Sequence, residues 1–165
     1  MANALLQAGL DTLTFSRKAF MGLIDSIPED KLLHQPSEGA NHAMWIMGHL
    51  ACTDEFFMNK LGDRPFNRFG DWEKIFFMGS KPSPNASDYP SANEVRETMA
   101  NNREQLVSWV KPWDESKLLS PLPGDLRNFA TSHASWISTL AWHEGMHTGQ
   151  LAAIRKSLGL TPVLG

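Results

Sequence analysis

Only one cysteine, Cys52, occurs in 165 residues. A disulfide framework within the chain is therefore excluded, and such cysteine usage suits a reducing compartment. Positive charge is not in excess either: 15 Lys and Arg stand against 18 Asp and Glu, a net of −3. With no basic cluster along the chain, no nucleic-acid partner is expected. No uninterrupted apolar run reaches the ~18 residues that a bilayer span needs, so no membrane association is expected. The first residues lack a basic region, and Asp11 breaks the early apolar stretch. No signal peptide is expected there, and the expected location is cytoplasmic. Alternation with a period of two is also missing, which argues against a substantial sheet.

What is present is helical patterning. Leu6, Leu10, Leu13, Phe20, Ile24 and Ile27 follow steps of three and four, which predicts a helix over about residues 3–26, stopped by Pro28. Arg17 falls on that stripe, either snorkelling outward or reaching a polar interior. After a connector punctuated by Pro36 and Gly39, Asn41 is a suitable N-cap for a second helix ending near Leu61, with Gly62 beyond it. The expected inner stripe of this helix is His42, Trp45, His49, Cys52, Phe56 and Lys60.

Residues 62–90 are rich in Gly, Pro, Asn and Ser, with a helical turn expected over 71–78. Phe66, Phe69, Trp72, Phe76 and Phe77 suggest that this long connection packs on its own side chains. Ser91 and Glu94 form a capping-box signature for a third helix. Its inner face should hold Val95, Met99, Leu106 and Trp109 or Val110; Asn102 interrupts that face, and Pro112 closes the helix. A fourth runs from about Thr131 or Ser132 to Leu158, with Gly159 placed to end it. Four amphipathic helices sharing one core predict an all-α four-helix bundle, a single domain over residues 1–165.

The most specific chemistry lies on the fourth helix. Trp136, Leu140, His143, His147, Leu151, Ile154 and Leu158 form its apolar stripe, and two of these seven are histidines. Imidazoles four apart share a helix face and can share one metal ion. On a buried stripe they are costly unless something satisfies them. His143-Glu144-Gly145-Met146-His147 matches the H-E-x-x-H string of zinc metalloproteases. The context does not: residues 148–165 contain no His, Asp, Glu or Cys, and Gln150 and Ala153 replace the Gly and third His of the extended pattern. A third ligand must come from upstream. His49 is the best candidate, mid-helix on an inner stripe and preceded by Gly48, whose small size allows close approach.

The stretch Asn41-His-Ala-Met-Trp-Ile-Met-Gly-His49-Leu50, with His143-x-x-x-His147-x-Gly149-Gln150-Leu151 about ninety residues later, resembles the DinB/YfiT-like superfamily. The resemblance spans nearly the whole chain and implies a helical bundle holding a divalent metal, zinc or nickel, on His49, His143 and His147. It further implies activation of a low-molecular-weight thiol for transfer to a small-molecule substrate, and often a homodimer. Metal-assisted hydrolysis is the enzymatic alternative, and a non-catalytic metal-binding or stress-response bundle the other. His42 departs from the usual small polar residue; it lines the pocket, acts as acid or base, or makes a helix-start contact. Glu144 is either a general base or a solvent-facing residue. Gln150 is either an outer contact of a ligand or a core-edge amide. Cys52 reads as a small buried hydrophobe rather than a nucleophile.

Overall fold

The computed structural model describes residues 3–62 and 69–163, without the side chains of Phe69 and Asp71. Four long helices make the bundle: α1 (Ala4–Ile24), α2 (Ala43–Gly62), α4 (Ala92–Val110) and α6 (His133–Ser157). Two short helices lie in the connections, α3 (Phe69–Phe76) and α5 (Glu115–Leu119). Helix α1 packs on α6 and α2 on α4, while α3 covers α2. Among the described residues there is no strand, only an isolated bridge between Pro121 and Ser132.

Local chemistry sets the helix ends. The Asn3 side chain accepts the Leu5 and Leu6 amides at the start of α1, and Ser91 accepts the Glu94 amide at the start of α4. Helix α6 opens on a reciprocal box between Ser132 and Ser135. It closes with Gly159 at φ 70°, where the Gly159 and Leu160 amides donate back to the Lys156 and Arg155 carbonyls. The second helix departs from expectation at both ends. His42, not Asn41, caps α2, its Nδ1 accepting the Trp45 amide at 3.1 Å. Gly62 lies inside the helix, where a Cβ would meet the Trp109 ring at 2.7 Å.

The expected stripes largely face inward, with Leu6, Leu13, Phe20, Ile24, Val95, Met99, Leu106 and Val110 all buried. Helix α2 is covered on more than one side: every residue from Ala43 to Asp54 is buried, whereas Lys60 is exposed. In the long connection Trp72 and Phe76 are buried; Phe66 and the Phe69 side chain lie outside the described residues.

The apolar core falls into two clusters. One includes Phe20, Ile24, Ile46, Leu50, Met99 and Leu151, the other Leu13, Phe57, Leu106, Trp136 and Leu140. Between them each long helix contributes one charged side chain. Arg103 (α4) reaches both Asp54 oxygens (α2) at 2.8 and 3.0 Å and Glu144 (α6) at 2.8 Å. Arg17 (α1) is ion-paired with the same Asp54 and Glu144 and donates to the Met99 carbonyl at 3.2 Å. Arg17 therefore takes the polar interior rather than snorkelling. Two cations and two anions make this layer neutral, as burial demands.

Candidate metal centre

His49 on α2 and the pair His143 and His147 on α6 converge between the helices. The His143 Nε2 lies 3.3 Å from the Nε2 of His49 and 3.1 Å from that of His147. The close approach depends on Gly48: a Cβ there would sit 2.3 Å from the Phe76 ring. With the glycine, α3 lies directly on α2 and brings the Phe76 carbonyl to 2.8 Å from His49 Nδ1. Trp45, one turn earlier, stacks on the His49 ring with centroids 4.6 Å apart and planes within 9°.

The hydrogen bonds on the far side of two rings fix where their protons sit. A carbonyl only accepts, so His49 Nδ1 carries a proton and donates it to Phe76, leaving Nε2 as a bare lone pair. His147 Nδ1 likewise donates to the Gln150 side-chain oxygen at 2.9 Å, leaving its Nε2 bare. That oxygen also accepts from Asn41 at 3.3 Å, which orients the amide. The Nε2 of His143 holds at most one proton to offer two such lone pairs. At least one approach is therefore lone pair against lone pair, and a cation at their focus removes that repulsion.

The donor set fits a metal. Two nitrogens on one zinc at ~2.0–2.1 Å stand roughly 2.9–3.4 Å apart for right-angle to tetrahedral arrangements, and the two observed separations are 3.1 and 3.3 Å. Burial also keeps the rings in the neutral, ligating form. Desolvation, then the neighbouring His147, pulls His49 down to about 4. Desolvation, followed by His147, His49 and Arg103, pulls His143 to about 3. Desolvation lowers His147 as well, against the hydrogen bond to Gln150.

The remaining sequence candidates lie elsewhere. Glu144 is fully buried and its carboxylate is held by Arg17 and Arg103 in the charged layer. It faces neither solvent nor the cavity, because its neighbours on α1 and α4 supply cations that its position in H-E-x-x-H cannot reveal. His42 is also fully buried; its Nδ1 is used in capping, so Nε2–H donates to the Ser83 carbonyl at 3.0 Å. It ties the start of α2 to residues 83–89 and is not among the cavity-lining residues. Burial raises the Cys52 thiol to about 12, the state of an inert core thiol.

The histidines form the floor of a cavity of about 390 Å³, walled by Trp45, Phe56, Phe77, Phe129, Trp142 and Met146 among others. The Phe76 carbonyl is a backbone group with no residue signature in the sequence. Asp54 and Arg103 carry no motif either; the polar interruptions at Arg17 and Asn102 are the available signal of a charged layer.

These features define a class: a helical bundle with a three-histidine cluster, of the kind that takes a divalent metal, open to an internal cavity. A sequence model of the DinB superfamily matches residues 12–151, and the chain belongs to that superfamily. No curated protein matches the chain.

Proposed function

We propose that this protein is a metal-dependent enzyme that activates a small thiol, or water, at His49, His143 and His147. The observation that carries the reading is the convergence of three Nε2 atoms on the floor of an accessible cavity, two of them stripped of protons by hydrogen bonds on the far side of the ring. A divalent ion there, zinc or nickel, supplies Lewis acidity that eases loss of a proton from a thiol or water at neutral pH.

The chain's own part is positional. Phe76 and Gln150 fix the tautomers and ring planes of His49 and His147, and Trp45 fixes the His49 tilt by stacking. Among the described residues, no fourth side chain of the usual ligating types joins the cluster, which supports an open catalytic site over a closed structural one. The same reading has the enzyme working in the cytoplasm, supported by the lone buried Cys52, and as a homodimer, supported by the family resemblance alone.

The test is elemental analysis of the untagged protein, followed by a turnover screen with several thiols and with water alone. Near one metal per chain, lost in His143→Ala, together with thiol-dependent product supports the transferase reading. Thiol-independent product replaces it with hydrolysis. Metal that bolsters the melting temperature without any turnover favours a bracing role.

A further inference from the structure

The cavity wall says what kind of molecule belongs above the histidines. Large hydrophobic side chains are exposed at few places on the described surface, and four of them gather here: Met78 (67 % exposed), Trp142 (66 %), Met146 (41 %) and Phe129 (40 %). Trp142 and Met146 stand one turn apart on α6 and flank His143, on the face that carries the ligand pair. Deeper in, the wall is ring against ring: Phe56 lies 5.2 Å from Phe77 and Phe57 lies 5.5 Å from Phe129, centroid to centroid. Apart from the three histidines, the polar side chains among the described lining residues are uncharged (Asn41, Thr53, Ser80, Thr139, Gln150), and no Asp, Glu, Lys or Arg is among them.

The dimensions fit a small molecule rather than a peptide helix. At ~30 Å³ per water, a volume of about 390 Å³ takes at least about a dozen non-hydrogen atoms. Exposed Trp and Met at the mouth leave apolar area in water that an apolar ligand would cover. Against the apolar wall at the mouth, away from the histidines, a carboxylate or sulfonate would lose its hydration without a described cation to replace it.

We propose that this cavity binds a neutral, largely aromatic organic molecule of about a dozen or more heavy atoms, gripped by Phe129, Trp142 and Met146 with one end against the histidine cluster. Resting on the metal-dependent reading above, this molecule is the acceptor substrate, and the thiol or water is the partner that attacks it.

A matched pair of fluorescent probes tests the cavity independently of turnover. N-phenyl-1-naphthylamine is neutral, and 8-anilino-1-naphthalenesulfonate adds one negative charge to the same rings. Titrated into the purified protein, the neutral probe should bind one per chain and at least ten-fold more tightly than the sulfonate. Trp142→Ser with Met146→Ser, both exposed positions, should weaken it at least ten-fold while the melting temperature holds. His49→Ala should lose metal and keep the probe. Equal or tighter binding of the sulfonate overturns the proposal, as does binding indifferent to the double substitution. So does absence of probe binding, whether or not the double substitution turns a dimer into monomers; a shift to monomers would assign the apolar rim to a second copy. Probe binding in a protein that takes up no metal would sink the enzymatic reading and leave the aromatic site standing.

Discussion

Glu144→Gln separates two readings of the same residue. If Glu144 were a general base, the amide would cost about 10²–10⁴ in rate and leave stability within ~0.5 kcal/mol, as for a group open to water. The structure instead buries it completely between Arg17 and Arg103, the latter at 2.8 Å. Turning it into an amide leaves two guanidiniums facing only Asp54, a net positive charge inside the bundle. Removing one partner of a buried ion pair costs about 3–5 kcal/mol, a large part of the ~5–15 kcal/mol that holds a domain together. For a chain of this length each kcal/mol is worth roughly 2–4 °C, so the melting temperature should fall by roughly 6–20 °C. Circular dichroism melts and urea titrations measure this, with metal content determined on the same samples. The imidazoles are untouched, so metal stoichiometry in the folded fraction should hold. Glu144→Leu with Arg103→Met removes one charge of each sign and should recover most of the lost stability. A Glu144→Gln protein as stable as wild type but devoid of turnover would refute the structural assignment and restore the base.

Gln150→Ala removes the acceptor from His147 Nδ1 and should weaken metal binding about 10–100-fold, read by competition with a chelating dye. Gly48→Ala places a methyl within 2.3–2.5 Å of a fully buried Phe76 ring. It should cost about 1–3 kcal/mol in urea unfolding, and metal affinity should drop with it as the Phe76 carbonyl shifts off His49. In metal-free protein, His49 and His143 are held at about 4 and about 3 against 6.5 for an ordinary histidine. The unfolded chain therefore binds more protons between those values, so their contribution is full above pH 6.5 and declines as the pH falls towards 4. Urea midpoints that stay flat from pH 7 to 4.5 would contradict this. Cys52, buried with its thiol raised to about 12, should resist maleimide labelling in native protein and react only on unfolding.

Periodicity made the bundle readable because α1, α4 and α6 each bury one face, and that face repeats every three or four residues. It failed on α2, where burial runs continuously from Ala43 to Asp54 and periodicity carries no signal. The capping of α2 by His42 was hidden because imidazole is an uncommon cap, while Asn41 beside it is a common one. The histidines stood out as polar rings on apolar stripes. Glu144 was misplaced for the opposite reason: helix angle puts it beside His147, but the cations that hold it sit on α1 and α4, 127 and 41 positions away in the chain. Short helix α5 escaped notice between prolines, its only local cue being Asp114 accepting the Lys117 amide.

The mid-height layer of charges also acts as a detent for assembly. Leucines and phenylalanines above and below it would tolerate a helix sliding lengthwise, since one oily turn resembles the next. A slide of one turn moves a side chain about 5.4 Å, enough to strand Arg103 among hydrocarbon and part it from both carboxylates it now touches. Only one vertical alignment of the four rods keeps every sign matched. It is the alignment that sets His49 level with His143, so the charged layer also indexes the histidine cluster.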